Sequence, residues 1–259
     1  MIIPQYQVDA FATRVFQGNP AAVCPLEQWL DDSLMQSIAA ENNLAETVFF
    51  VKTEDQYAIR WFTPTTEVPL CGHATLASAY ILFNHLGVNS NRVSFDSLSG
   101  VLHVDKKGDL LEMDFPSEAP VVIPIPQGLE DALGVSVKEV LFNQYHVVVL
   151  ESEQTVKELA PDLSLLSKVD CRGVIVTSVS SGYDFVCRFF APNMGIDEDP
   201  VTGSAFTKLV PFWAKKLDKT VFKARQVSAR GGDVNCELHT DRVKISGSAV
   251  LFSEGEIHV

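Results

Sequence analysis

The chain has 259 residues, 46% of them hydrophobic and 20% charged, which is typical of a globular protein with a sizeable core. The formal net charge is −13, and the sequence has no basic stripe that could override it locally, so nucleic acid is excluded as an expected partner. The five cysteines are widely spread without a CxxC pair, and neither a signal peptide nor a membrane-spanning run is present, so we expect a cytoplasmic protein that does not bind membranes.

The first half of the chain reads as short strands with two helices among them. Leu30–Asn42 has apolar residues at helical spacing, and Gly72–Leu86 is apolar on nearly every side. Because a helix that is apolar all round is buried all round, we expect Gly72–Leu86 to lie at the centre of a curled sheet. The strands predicted from β-branched and aromatic residues are Tyr6–Phe11, Thr47–Lys52, Tyr57–Phe62, Arg92–Phe95, Val101–Val104 and Leu110–Phe115.

The second half repeats this order after a proline-rich stretch from Pro116 to Pro126, which we interpret as a stiff connection. Its apolar helix is Gly203–Lys215, where Pro211 is expected to kink or shorten the helix. The predicted strands are Val147–Leu150, Gly173–Ser178, Asp184–Phe190, Asp233–Leu238 and Arg242–Ser246.

An internal duplication is indicated by two similar segments. Arg60–Pro64 and Arg188–Pro192 both read R-[WF]-F-x-P, and each leads to a helix that starts with glycine, at Gly72 and Gly203. Ordered matches at a nearly constant offset favour two similar halves over chance similarity between strand-loop-helix units.

The two helix starts are candidate binding sites for an anion. The first N–H groups of a helix lack backbone partners and its dipole favours negative charge, so a small carboxylate could bind at Gly72 and at Thr202–Gly203–Ser204 without Lys or Arg. The alternative is simple capping, with Thr202 or Asp199 as the N-cap residue.

Three side chains are candidate catalytic groups. Glu46 enters an apolar strand, where an ionised acid is expensive to bury, so it suits proton transfer unless it is an exposed charge at the sheet edge. His73 follows Gly72 at a helix start, where we expect a lowered pKa and a neutral ring. Asp199 lies in an acidic turn or helix entry.

Metal and cofactor sites are not predicted. Cys71 and His73 form an isolated pair and the other histidines are scattered, so no zinc spacing exists. Glycine-rich nucleotide loops and the G-x-S-x-G hydrolase motif are absent too. We therefore expect neither a metal nor an organic cofactor.

Taken in order, the motifs along the chain resemble those of the phenazine-biosynthesis isomerase (PhzF-like) family. They cover nearly the whole chain and comprise Gly18–Val23, Asn43–Thr47, Arg60–Pro64 with Glu67, Cys71–Thr75, Glu198–Ala205 and Arg230–Gly232.

The resemblance implies an α+β fold like that of diaminopimelate epimerase. Each of two similar domains, 1–117 and 118–259, would be a curled, mostly antiparallel sheet around a central helix, with the active site between the domains. The resemblance allows the final strand to return to the first domain, and it allows a homodimer.

The resemblance also implies roles for these residues in an isomerase that needs no cofactor. Glu46 would be the acid and base that moves a proton between carbons of a small cyclic or amino-acid-like carboxylate. His73, Asp199 and Ser204 match the supporting groups of the family, and Gly72 and Gly203 match its close-approach glycines. Two alternatives stay open: a non-catalytic carboxylate-binding or interaction protein, and an amino-acid epimerase. The epimerase is disfavoured because Thr202 stands where a second thiol is needed.

Overall fold

The computed structural model describes residues 1–259, which form two compact units. Unit 1 comprises Met1–Asp114 and Ser246–Val259, and unit 2 comprises Phe115–Ile245. Strands dominate both units, and none of the helices is both long and apolar enough to cross a membrane.

The strands, numbered in chain order, are β1 (Ile2–Ala10), β2 (Asn19–Leu26), β3 (Glu46–Lys52), β4 (Tyr57–Phe62), β5 (Glu67–Val68), β6 (Arg92–Ser97), β7 (Gly100–Lys107), β8 (Leu110–Pro116), β9 (Val121–Ile123), β10 (Glu139–Asn143), β11 (Tyr145–Val149), β12 (Val174–Val179), β13 (Phe185–Ala191), β14 (Ile196–Asp199), β15 (Val221–Gln226), β16 (Gly232–His239), β17 (Arg242–Gly247) and β18 (Ala249–His258). The α-helices are α1 (Asp32–Asn42), α2 (Gly72–Asn84), α3 (Leu129–Leu133), α4 (Glu153–Glu158), α5 (Leu163–Leu166) and α6 (Gly203–Leu217), and Pro192–Met194 form one 3₁₀ turn.

Both units follow the same order of strand pairing. In unit 1, β2 and β3 are parallel, β4 lies antiparallel to β3 and β5 and parallel to β6, and β6 and β7 are antiparallel. In unit 2 the strands β11, β12, β13, β14, β15 and β16 repeat these relations one by one. This is the arrangement that the predicted internal duplication requires.

Helix α2 lies at the centre of unit 1. It contacts β1, β2, β3, β7 and β18, and every residue from His73 to Phe83 except Tyr80 is buried. Full burial of one Leu, Ile or Phe side chain stabilises the fold by about 1.5–3 kcal/mol, so this helix is a main source of stability for unit 1. The prediction of a helix buried on all sides is confirmed for α2.

Helix α6 has the corresponding role in unit 2. Its buried residues include Ala205, Phe206, Leu209, Val210 and Trp213, and the helix contacts β16. Pro211 does not shorten this helix, which runs through it to Leu217, and a kink at Pro211 stays a prediction.

The first and last strands of the chain pair in unit 1. β1 is antiparallel to β18 over its whole length and to β2 over its second half. Ser246–Val259 accordingly belongs to unit 1 by contacts, although the sequence places it after unit 2. The domain boundary at residues 117 and 118 stays a prediction, because by contacts the chain leaves unit 1 after Asp114 and returns at Ser246.

Candidate active site

Glu46 owes its position to the end of α1 and the start of β3. Asn43 adopts a left-handed conformation (φ 47°) and ends α1, with its N–H bonded to the carbonyl of Ala39 at 3.1 Å. The chain then enters β3 at Glu46. Asn42 donates to the hydroxyl of Thr47 at 3.0 Å on one face of β3, so by alternation Glu46 points to the other face.

A buried cluster of polar side chains surrounds the start of α2. The Nε2 atom of His73 lies 3.0 Å from Oε2 of Glu46, with the two side chains 6% and 13% exposed. On the other side of the ring, Nδ1 lies 3.2 Å from Nδ2 of Asn19 and 3.4 Å from Sγ of Cys71. His73 is therefore the middle member of a chain that runs from Asn19 and Cys71 to Glu46.

The contact between His73 and Glu46 has the distance of an ion pair but not the alignment of a full hydrogen bond, since neither Nε2 nor Oε2 meets the angular criteria. Catalytic hydrogen bonds are often poorly aligned before the substrate binds.

The electrostatics of the cluster correct one sequence prediction. Burial alone lowers the pKa of His73, but the hydrogen bond with Cys71 and the Glu46 carboxylate outweigh burial and raise this pKa well above its usual value. The prediction of a lowered pKa for His73 was wrong because it considered the helix start and not the carboxylate. Burial also raises the pKa of the Cys71 thiol, so the thiol stays protonated and the carboxylate is the charged partner of the ring.

Glu46, Cys71 and His73 also have the chemistry of metal ligands. One ligand atom from each lies within 4.8 Å of the others. The sequence prediction that Cys71 and His73 form an isolated pair was therefore wrong, because Glu46 joins them through the fold. However, His73 faces Cys71 with one nitrogen and Glu46 with the other, and a metal ion binds only one imidazole nitrogen. This arrangement fits a proton path better than a shared metal.

The start of α2 has no side-chain cap. Its N-cap residue is Cys71, and Gly72 and His73 are the first helical residues. The thiol lies 3.4 Å from Nδ1 of His73 and also faces the backbone N–H of Ala74 without making a full side-chain cap. Because the first N–H groups of a helix lack backbone partners, this helix start retains donors for an anion.

A second group of predicted site residues is found in unit 2. Asp199 ends β14, so the acidic segment is a strand and not the predicted turn. The hydroxyl of Thr202 donates to Oδ2 of Asp199 at 2.5 Å, and the Thr202 N–H donates to Oε1 of Gln226 at 2.9 Å. The Thr202 side chain therefore does not cap α6, whose first residues are Gly203 and Ser204.

An arginine–glutamate fork precedes each of these helices within its own unit. Arg60 donates to both carboxylate oxygens of Glu67 at 2.7 Å, and Arg188 donates to those of Glu198 at 2.7 and 3.0 Å. Both glutamates stand five residues before the glycine that starts the helix. Bidentate pairs of this kind fix direction as well as distance, so they stiffen the segment before each helix start.

The structure thus brings together Glu46, Cys71, Gly72 and His73 in unit 1. It brings together Asp199, Thr202, Gly203 and Ser204 in unit 2. That both groups serve one substrate stays a prediction.

Two neighbours were missed at the sequence level, Asn19 beside His73 and Gln226 beside Thr202. The motif Gly18–Val23 was a signal for Asn19, whereas nothing in the sequence marks Gln226.

The raised pKa of His73 makes a prediction about stability. The ion pair with Glu46 contributes stability that is fully present below the unfolded pKa of about 6.5 and is lost as the pH rises through the higher folded value. We therefore expect the difference in free energy of unfolding between wild type and His73→Gln to shrink from pH 6 to pH 9 in urea titrations. The same substitution at exposed His258 is the control. A difference that grows with pH would contradict the assignment.

Known proteins were compared with the chain by sequence and by fold. The sequence profile of the phenazine biosynthesis-like (PhzC–PhzF) proteins matches residues 8–255. An uncharacterized isomerase of Pseudomonas aeruginosa is 51% identical over 254 residues, which cover 98% of each chain. A PhzF-family protein of Enterococcus faecalis, known from a crystal structure, is 49% identical and superposes with a TM-score of 0.98 over 100% of both chains.

A more distant likeness concerns the fold alone. The structure of a probable proline racemase from Agrobacterium radiobacter K84 is 10% identical, covers 99% of this chain and 93% of its own, and has a TM-score of 0.68. The predicted fold class, a sheet-rich α+β fold like those of the epimerases, is confirmed.

Proposed function

Because the chain belongs to the phenazine biosynthesis-like family, we propose that it is an isomerase that moves a proton between two carbon atoms of a small cyclic or amino-acid-like carboxylate, with Glu46 as general acid and base. The observation that carries this proposal is the buried carboxylate of Glu46, 3.0 Å from Nε2 of His73. Relatives named as isomerases support the reaction class.

The proposed step needs no redox partner. The Glu46 carboxylate takes a proton from one carbon, the electron pair of that C–H bond moves into the neighbouring π-system, and the double bond shifts. The carboxylic acid so formed returns the proton to a second carbon, which restores the carboxylate. A positioned group of this kind contributes on the order of 10²–10⁴ in rate.

His73 has a supporting role in this proposal. An imidazolium beside Glu46 favours the carboxylate and so keeps it ready to take the proton from carbon, and the ring holds its own proton throughout the transfer. His73 therefore supports Glu46 without contacting the reacting carbon itself.

Binding of the substrate carboxylate is assigned to the helix starts. The net charge of −13 does nothing to attract an anion, so local donors are needed. We assign this role to the N–H groups near Gly72 and near Gly203 and Ser204, neither of which is occupied by a side-chain cap.

Asp199 and Thr202 are assigned to orienting the substrate. Thr202 donates to one oxygen of Asp199, and Gln226 donates to the carbonyl of Asp199 at 2.6 Å, so both ends of this residue are held. In this assignment the Asp199 carboxylate accepts from a hydroxyl or amino group of the substrate.

The test is a screen for hydrogen exchange. The intact protein is incubated in D₂O with small cyclic carboxylates and amino-acid-like carboxylates, and the compounds are analysed by NMR and mass spectrometry. We expect at least one compound to gain deuterium at carbon and to change the position of a double bond. Binding of these compounds without any exchange would favour the carboxylate-binding alternative, and deuterium gain with inversion at a single carbon would favour an epimerase.

A further inference from the structure

Asn19 lies in the family motif Gly18–Val23, and its side-chain amide is fully buried. The proposed mechanism gives this residue no role. It is the first residue of β2 and has 0% exposure. Burying an amide costs free energy unless it is hydrogen-bonded, so a buried asparagine at a site has a specific partner to serve. One such partner is the ring of His73.

The backbone before Asn19 is fixed by a glycine that has no room for a side chain. Gly18 has φ +66°, and a Cβ at that position would lie 2.0 Å from the carbonyl oxygen of Ala10. β1 and β2 then pair through Ala10 and Asn19. Gly18 therefore fixes the backbone conformation immediately before Asn19.

The amide of Asn19 can pair with His73 in either protonation state. As placed, Nδ2 lies 3.2 Å from Nδ1, so the amide donates to a ring nitrogen without a proton, and the ring carries its proton on Nε2 beside Glu46. A half-turn of the amide brings its oxygen to the same place, where it accepts from a protonated Nδ1.

We infer that Asn19 is a positioning residue that pairs with Nδ1 of His73 in both protonation states and so keeps Nε2 directed at Glu46. Asn is suited to this role because it offers a donor and an acceptor at one place. Asp offers only an acceptor, and Leu has a similar shape with neither.

The groups around the ring are few, which makes the inference testable. Glu46 faces it from β3, the Cys71 thiol faces it from the residue before α2, and Asn19 faces it from β2. Cys71 and Asn19 both lie beside Nδ1 of His73, but burial keeps the Cys71 side chain a neutral thiol. Only Glu46 therefore brings a charge to the ring at neutral pH.

The test is the ¹⁵N NMR signal of the two ring nitrogens of His73 across pH, without substrate, with the signals assigned through His73→Gln. Wild type is expected to show a neutral ring protonated on Nε2. Asn19→Asp should move the neutral ring to the Nδ1-protonated form and raise the pKa of His73. Asn19→Leu should remove the hydrogen bond at Nδ1 in both protonation states, and should slow proton exchange into a substrate on the order of 10-fold to 100-fold.

Asn42→Leu is the matched control, because it removes another partly buried amide beside β3 that bonds Gln5 and Thr47 and not His73. It should leave the His73 signals as in wild type.

The inference is overturned if Asn19→Asp and Asn19→Leu leave both the proton position and the pKa of His73 unchanged. Should these variants not fold, wild type alone decides: ¹⁵N signals that show no hydrogen bond at Nδ1 in either protonation state contradict the inference. The role of Asn19 in positioning His73 for catalysis rests on the proposed function. The NMR outcome does not depend on Glu46 being the catalyst, so the two proposals can fail separately.

Discussion

Replacement of Glu46 with glutamine is expected to lower the turnover rate of the isomerisation by about 10²–10⁴, while the fold and substrate binding are retained. Glutamine has the shape of glutamate and can still contact His73, but it has no proton to take up and return. Steady-state kinetics on a substrate from the exchange screen measures this effect. The loss should appear in kcat and not in KM, because the variant removes an interaction made during the transfer and not in binding.

The matched control is Glu41→Gln. Glu41 is an exposed residue of α1 in unit 1, so this variant changes the net charge by the same amount without touching the site. It should turn over at the wild-type rate. An equal loss in both variants would mean that the charge of the unit, and not the carboxylate of Glu46, governs the rate.

The largest expected effect on stability is that of Gly18→Ala. A left-handed conformation costs a residue with a Cβ about 1–2 kcal/mol, and here the added atom would also lie 2.0 Å from the carbonyl oxygen of Ala10. Something in the backbone must move, so we expect the free energy of unfolding to fall by about 3 kcal/mol or more. Urea denaturation followed by circular dichroism measures this difference.

Gly87→Ala separates the cost of the left-handed conformation from the cost of the close contact with Ala10. Gly87 lies three residues after the end of α2 and has φ +69°, nearly the same as Gly18, but a Cβ there would meet nothing within 4 Å. We expect this variant to lose only about 1 kcal/mol, the cost of the conformation itself. Equal losses at the two glycines would show that the close contact with Ala10 does not determine the stability of the turn.

The two central helices were predictable because their sequence signal is local. An apolar residue at almost every position from Ala74 to Phe83 can be explained only by burial on all sides, and the structure confirms this for α2. The duplication was predictable for a related reason, since the same R-[WF]-F-x-P motif at Arg60 and at Arg188 comes before each glycine-started helix, although the second loop is three residues longer.

The strand that carries Asn19 was not predicted. β2 contains Pro20 and Pro25, which are unfavourable in strands because they lack an N–H to donate. Parallel pairing with β3 and antiparallel pairing with β1 override this local preference, and neither pairing can be read from residues 19–26 alone. The residues of β18 are mostly exposed or charged and do not by themselves indicate a strand, but the resemblance allowed a final strand to return to the first domain, and β18 does pair with β1.

The cluster around His73 was predicted only in part. Glu46 and His73 were each identified, but as separate features, and the pKa of His73 was expected to be lowered. Their approach to 3.0 Å follows from β3 lying beside α2, which is tertiary information. Because electrostatic effects depend on such distances, the direction of the pKa shift could not be predicted before the fold was known.

The central claim, that Glu46 moves the proton, is tested most directly by the rate of deuterium incorporation from D₂O into a true substrate. The rate is measured side by side for wild type, Glu46→Gln, Glu46→Asp and Glu41→Gln, with binding of the same substrate checked by calorimetry. We expect full exchange for wild type and Glu41→Gln, and a rate lower by about 10²–10⁴ for Glu46→Gln. Glu46→Asp retains a carboxylate on a shorter side chain, so we expect an intermediate rate for this variant. Exchange by Glu46→Gln at the wild-type rate, with binding intact, would contradict the central claim.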